Sequence, residues 1–362
     1  MFESINSLGH AVIGGLGYVL GAAFGGPNAV GGIGTRIVED WVGLEDQWDL
    51  IIGSLIVFVI LLVHQNGIAD VVVHGRRLWE NLHLVGRHEA RAPLPPPTVE
   101  PVPAASLSIS GLTVRFGAVV AVDGVSMDVN PGEVVGLIGP NGAGKTTIID
   151  AVTGFVPAAS GSISFGGRSI DRLNATARAR LGLRRSFQSL ELFEDVSVEE
   201  NIRAGSDQRA TRMSWLTDLF WPGHHPLPST AVAAVHEFAL EPHLDDLPEA
   251  LPYGRRRLVG IARTVASAPS IVMLDEPAAG LDENETAELS HLIRRLADER
   301  NMGVLLVEHD VGLVMSTCDR VVVVDFGSVI ARGTPAEIRD NVAVRDAYLG
   351  HADTGAHEEV KA

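Results

Sequence analysis

An α/β domain is the fold the sequence predicts for the larger, C-terminal part of the chain, and three observations predict it. Short β-rich runs, Leu107 to Ser110, Val119 to Val122 and Val134 to Ile138, alternate with helix-like stretches. The third run opens directly into a glycine-rich loop and then a helix. Two further apolar strands, Ile271 to Leu274 and Val304 to Val307, each end in acidic residues. Carboxylates so placed stand at the carboxyl ends of strands, where open α/β sheets hold their ligands.

Length and composition set the frame for the rest. With 362 residues the chain exceeds one ordinary domain, typically roughly 100–200 residues, so two unequal units and a linker are expected. Hydrophobic residues reach 46% beside 20% charged ones, so some segment is unusually apolar. The net charge of −17 repels phosphate backbones, and no basic stripe offsets it, which argues against a nucleic-acid partner. A single cysteine, Cys318, excludes an internal disulfide and a thiolate metal cluster; its apolar neighbours Val321 to Val324 make it a buried core thiol. No basic N-terminal region or small-residue cleavage site marks a secretory signal.

From the N-terminus, Gly17, Gly21 and Gly25 recur at four-residue spacing, which fits either closely packed membrane helices or a flexible loop. Leu50 to Val63 carries no charge and reads as a membrane helix, extended by Ile68 and Ala69. Arg76, Arg77, Arg87 and Arg91 follow it, which puts that side in the cytoplasm. Residues 1–88 are therefore expected to hold one or two membrane helices. Pro93, Pro95, Pro96, Pro97, Pro101 and Pro103 make residues 89–105 an extended linker. The α/β domain is expected over residues 106–350 and a frayed polar tail over 351–362.

The chemistry lies in three strand ends. After Val134 to Ile138 comes Gly139-Pro140-Asn141-Gly142-Ala143-Gly144-Lys145-Thr146-Thr147, a G-x-x-x-x-G-K-T loop between strand and helix. Its glycines let backbone N–H groups wrap phosphate oxygens, and the helix N-terminus adds partial positive charge. Lys145 supplies a mobile cation for the β- and γ-phosphates, and the Thr146 hydroxyl is a hard ligand for Mg²⁺. The chain has only one other lysine, Lys361, so a lysine at this spot is no accident of composition. Asp275, ending the second strand, would face the metal. Glu276, next to it, would accept a proton from the attacking water or orient it. Glu308-His309-Asp310 ends the third strand, and His309 would sense or stabilise the γ-phosphate. His224-His225, by contrast, has no partners at metal-ligand spacing and reads as surface loop.

Taken together these residues resemble the ABC transporter ATPases over the whole stretch from Leu107 to Gly350. The resemblance implies a cassette with a RecA-like core, an antiparallel β subdomain and a helical subdomain, preceded here by a short membrane-associated helical segment. Phe116 matches the aromatic that stacks on adenine. Gln188 matches the glutamine that reaches both the metal and the membrane partner, and Asp282 lies in the D-loop. Leu251-Pro252-Tyr253-Gly254-Arg255 stands where the family has L-S-G-G-Q, just ahead of a helix-like run from Arg256 to Ala266. Through Leu251, Tyr253 and Gly254 this segment would close over ATP held by a second cassette. Pro252 takes the place of the serine whose hydroxyl contacts the γ-phosphate, and proline offers neither hydroxyl nor N–H.

The run from Asp275 to Leu281 and the ending from Gly333 to Gly350 look like the ATPases of importers for branched-chain amino acids and related amides or urea. Gly14 to Gly17, Leu50 to Val63 and Gln65-Asn66-Gly67 resemble the C-terminal end of the cognate permease, of which only that end is present. What this implies is an ATP-hydrolysing importer component on the cytoplasmic face of the inner (plasma) membrane. Its cofactors would be ATP and Mg²⁺. Its partners would be a second cassette, identical or not, permease subunits and, indirectly, a solute-binding protein. The alternative is an ATP-binding switch or degenerate cassette without transport work, to which Pro252 and the incomplete permease would point.

Overall fold

A computed structural model describes residues 94–97, 101–186, 191–206 and 226–347. The expectations placed on the N-terminal apolar runs, on Gln188, on His224 and His225 and on the polar tail lie outside these residues. Among the described residues, no helix is long and apolar enough to cross a membrane.

Among the described residues the first elements are β1 (Leu107–Phe116) and β2 (Val119–Val129), then β3 (Val134–Ile138), α1 (Lys145–Thr153), β4 (Ser160–Phe165), β5 (Arg168–Ser169), α2 (Ala175–Arg180) and β6 (Leu183–Arg185). Helices α3 (Val198–Ser206), α4 (Ser229–Glu237) and α5 (Tyr253–Val265) follow, before β7 (Ile271–Asp275), α6 (Glu283–Asp298) and β8 (Gly303–Val307). Then come α7 (Val311–Thr317), β9 (Arg320–Asp325), β10 (Ser328–Gly333) and α8 (Pro335–Arg339).

Two sheets result. One is antiparallel, in the order β2-β1-β4-β5, and the other runs β10-β9-β3-β8-β7-β6. The first two β-rich runs of the sequence thus do not join the parallel core. Only residues 117 and 118 separate β1 from β2, too few for the crossover a parallel pair needs, so Phe116 faces Val119 and the strands form a hairpin. In the second sheet β3 pairs in parallel with β8 and β9, and β8 with β7. Strands β3, β7 and β8 are buried at every position. That explains why they read as unbroken apolar runs: helices cover both faces of such a sheet. Leu107, Ile109 and Val125 from the antiparallel sheet share one core with Ile148, Ile149 and Val152 of α1 and with Met273 and Val307 of the parallel sheet.

Of the described residues, Leu94, Leu192–Val198 and Asp245–Ala250 belong to one of two units, and within it the Val198 N–H donates to the Asp246 carbonyl at 2.9 Å. The other described residues group into the larger unit. Within the larger unit the end of the proline-rich stretch is anchored. The buried Val102 donates to the Arg300 carbonyl at 2.8 Å, and the Ser270 hydroxyl donates to the Pro103 carbonyl at 2.6 Å. Cys318 is buried and free, as its surroundings in the sequence indicate.

Candidate active site

The loop from Gly139 to Gly144 links β3 to α1, and its first and last glycines answer to close contacts. A Cβ at Gly139 would lie 2.1 Å from the Val324 carbonyl oxygen, and one at Gly144 only 2.6 Å from that of Ala121. Gly144 also takes a φ of 96° as the N-cap of α1, a conformation open to glycine at little cost. The turn between β9 and β10 braces the loop, because the Gly327 N–H donates to the Ala143 carbonyl at 3.1 Å. The Lys145 ammonium reaches back into the loop and donates to the carbonyls of Gly139 (2.7 Å) and Pro140 (3.0 Å). Burial pushes its pKa below the ordinary lysine range, and the nearby charges of Glu276 and Asp275 oppose that shift. The loop cation and the two carboxylates are therefore electrostatic neighbours, although Asp275 lies 130 positions along the chain from Lys145. Thr146 and Asn141 are exposed, and Thr147 is half-buried in the first turn of α1.

Strand β8 lies between β3 and β7, so three neighbouring strand ends carry the loop, the Asp275-Glu276 pair and the Glu308-His309 pair. Asp275 is buried, and burial raises its pKa against the hydrogen bond and charge of Arg185. Arg185 Nη2 donates to Asp275 Oδ2 at 2.7 Å while Nη1 pairs with Asp150 on α1. Glu276 adopts a φ of +47°, in the left-handed region that residues with a Cβ seldom enter. Its N–H donates to the Val307 carbonyl at 2.8 Å. The His309 ring is 61% exposed and sits 3.8 Å from the buried Glu308 carboxylate.

Comparison with known proteins places this arrangement. A family model described as ABC transporter matches residues 122–279, and one described as Branched-chain amino acid ATP-binding cassette transporter matches residues 328–354. The chain is 42% identical over 251 residues to the high-affinity branched-chain amino acid transport ATP-binding protein BraF of Pseudomonas aeruginosa, a match spanning 68% of this chain and 98% of BraF. The chain belongs to the ABC transporter ATP-binding proteins. LivG of Escherichia coli K12, another high-affinity branched-chain amino acid transport ATP-binding protein, is 41% identical over 250 residues, again 68% of this chain and 98% of LivG. Among solved structures, the ADP conformation of MJ1267, an ATP-binding cassette of an ABC transporter, matches with a TM-score of 0.60 at 29% identity, covering 68% of this chain and 99% of that one. The fold is thus the cassette of transport ATPases, a nucleotide-binding domain.

The remaining expected site residues of the cassette fall as follows. Phe116 ends β1 and is 52% exposed. Asp282 is the N-cap of α6 and forms a reciprocal capping box with Glu285. Leu251 is buried and Tyr253 exposed. One boundary differs from the sequence reading: α5 begins at Tyr253, so Tyr253, Gly254 and Arg255 lie inside the helix, not ahead of it, and Pro252 is its N-cap. Pro252 has the non-helical backbone of an N-cap, with φ −56° and ψ 154°, and its carbonyl accepts from the Arg256 N–H at 3.0 Å, which closes the first turn there. The Tyr253 ring lies against Gly280, where a Cβ would come within 2.8 Å of it.

Sequence reasoning missed three buried charges here: Arg185, Arg257 and Glu308. Arg257 had a usable signal, because it falls on the stripe Gly254, Leu258, Ile261 and Val265 that α5 buries. Glu308 directly extends the all-buried run of β8. Nothing local marked Arg185, whose partners lie 35 and 90 residues away.

Proposed function

We propose that the chain is the ATP-hydrolysing subunit of an importer for branched-chain amino acids or similar small solutes, working on the cytoplasmic face of the plasma membrane. The observation that carries this is the meeting of Lys145, Asp275 and Glu276 at the carboxyl ends of neighbouring strands. Lys145 would exchange its two loop carbonyls for β- and γ-phosphate oxygens, and the loop N–H groups from Gly139 to Thr147 would cradle the same phosphates. Phe116 would stack on adenine. Glu276 would take the proton of the attacking water and His309 would stabilise the γ-phosphate, with Gln188 beside the metal.

Residues suited to Mg²⁺ are present. The Thr146 hydroxyl is exposed at the start of α1, and Arg185 engages only Oδ2 of Asp275, leaving Oδ1 for a hard cation. Among the described residues no group of three or more His, Cys, Asp and Glu side chains gathers that could hold a metal. Nucleotide oxygens and water would complete such a site, as is usual for Mg²⁺, which would neutralise phosphate charge there. Leu251, Tyr253, Gly254 and Asp282 would meet the nucleotide of a second cassette, and permease subunits with a solute-binding protein would complete the importer. Residues 1–88 would supply a membrane-associated segment, 89–105 a linker, 106–350 the cassette and 351–362 a tail.

The test is ATP turnover by the full chain with its partner cassette, beside that of Glu276→Gln. The variant should bind nucleotide like the parent and turn over slower by at least ~10², the usual contribution of a general base. Near-parental turnover would remove Glu276 from that role. ATP-driven uptake of labelled leucine by the reconstituted importer tests the solute class.

A further inference from the structure

We propose that Arg257 and Glu308 are positioning residues that together fix the peptide backbone carrying Glu276, and that Arg257 ties this turn to α5. The inference rests on the base role proposed above for Glu276.

The four residues Asp275 to Ala278 are gripped from two sides by buried charges. Arg257, 3% exposed, donates through Nε to the Pro277 carbonyl at 3.0 Å, and through Nη2 to the carbonyls of Asp275 (3.2 Å) and Glu276. Glu308, fully buried, accepts from the Ala278 N–H at 2.8 Å through Oε1 and from the His309 N–H at 3.1 Å through Oε2. The positive charge thus takes three successive carbonyls of the turn, and the negative charge takes the next N–H. Between them lies the one left-handed, non-glycine residue of the turn, Glu276. A backbone in that region persists only where its surroundings over-determine it. Charges are a costly way to fill a core, since well-packed apolar residues of like volume often serve stability as well or better. What a planar guanidinium and a carboxylate add is direction: each fixes several backbone groups at set angles.

The two elements that supply the grip also matter. Arg257 lies one turn beyond Gly254 on the buried face of α5, and Glu308 is followed directly by His309. The helix expected to meet a partner's nucleotide, the turn holding the base and the strand end holding His309 therefore share one set of hydrogen bonds. A shift of α5 moves three carbonyls of the catalytic turn.

A double-mutant cycle with full-length protein and its partner cassette tests this, reading single-turnover ATP cleavage and nucleotide affinity side by side. Arg257→Met should slow cleavage by at least ~10-fold, since misplacing a reacting group by about 1 Å costs up to ~100-fold, while nucleotide affinity stays within ~3-fold of the parent's. Arg257→Lys, whose ammonium cannot span three carbonyls, should fall between parent and Arg257→Met. In the Glu276→Gln background Arg257→Met should add less than ~2-fold, because residues acting as a unit are not additive. Equal slowing in both backgrounds, or no slowing in the parent, overturns the positioning role and leaves the base assignment standing. Near-parental cleavage by Glu276→Gln alone overturns the base assignment and this proposal with it. Should Arg257→Met not fold, Glu308→Gln and Arg257→Lys enter the same cycle with the same criteria.

Discussion

Two arginines of this cassette each stand between two aspartates, and the structure predicts very different consequences for losing them. Arg185 bridges Asp150 and Asp275, with side-chain exposures of 8%, 29% and 3%. Arg294 bridges Asp298 and Asp319, with exposures of 28%, 57% and 46%. Removing Arg185 as Arg185→Met leaves Asp275 as a buried carboxylate without its guanidinium. Breaking a buried pair from one side costs about 3–5 kcal/mol, because the remaining charge has no water to turn to. Asp150 is partly wet and loses less, which favours the lower half of that range. At about 2–4 °C per kcal/mol for a domain of this size, Tm should fall by ~6–16 °C. Removing Arg294 in the same way leaves two carboxylates that water already reaches, and exposed pairs are worth about 0–1 kcal/mol each. With two such pairs the expected loss is no more than ~8 °C and centres on the lower half of that range.

Calorimetry of the parent, Arg185→Met and Arg294→Met in one buffer measures the difference. A further reading separates a site charge from a merely structural one. With Mg²⁺ and ATP present, the deficit of Arg185→Met should shrink, because a cation then faces the orphaned Asp275, whereas the deficit of Arg294→Met should not change. Equal losses for the two variants, or an Arg185→Met Tm within about 2 °C of the parent's, would refute the reasoning from burial.

The other predictions are smaller in scope. Gly144→Ala must displace the Ala121 carbonyl, 2.6 Å from the new Cβ, and should lose ATP binding in equilibrium dialysis; Gly142→Ala meets nothing within 4 Å and should keep measurable binding. Pro252→Ser gives α5 a side-chain N-cap that it lacks, worth about 1 kcal/mol against the ~0.4–1 kcal/mol that proline's rigidity supplies. Its Tm should stay level or rise slightly, and ATP-dependent dimerisation in gel filtration should strengthen; a drop beyond about 3 °C would contradict this. Burial pushes the Cys318 thiol up to about 12, so native protein at pH 8 should resist a thiol reagent that labels it once unfolded. The sign of the linked stability follows. The folded state holds the proton more tightly, so this contribution is complete below the ordinary thiol value of 9.0 and is lost as pH climbs toward 12.

How much of this was legible in the sequence depended on whether the determinant was local. The strand-loop-helix around Lys145 and the buried strands β7 and β8 could be read from apolar runs, glycines and the residues at their ends. The hairpin of β1 and β2 could have been read from its short connection, since two residues cannot carry a crossover. The helix-like run from Arg256 starts late because Tyr253, Gly254 and Arg255 carry little helical patterning of their own, whereas in the fold the Pro252 carbonyl already closes the first turn. The buried charges were the least legible. Arg185 owes its place to contacts distant in sequence, Arg257 and Glu308 sit on runs that are otherwise buried, and charged residues read singly look like solvated surface.

Pro252 and Gly254 show what one short motif asks of the fold at two neighbouring positions. An N-cap residue contributes its carbonyl to the helix, and Pro252 does so, accepting from the Arg256 N–H at 3.0 Å. Its own N–H would lie outside the helix, so the proline's lack of one takes nothing from α5. What the departure removes is a side-chain acceptor for the first-turn N–H groups, which therefore stay available to an anion brought by a partner. Gly254 meets a neighbouring side chain instead. A Cβ there would come within 2.0 Å of the Glu285 carboxylate, and Glu285 is held in place by its bond from the Asp282 N–H at 3.1 Å. A side chain at 254 must turn the Glu285 carboxylate away, which gives up its bond from the Asp282 N–H but leaves the Glu285 N–H to Asp282 Oδ1 arm of the cap. The proline position thus varies at the cost of a side-chain acceptor, and the glycine two residues on at the cost of one exposed hydrogen bond, so the fold alone leaves both open and the demand for glycine falls to the face that would meet a partner's nucleotide.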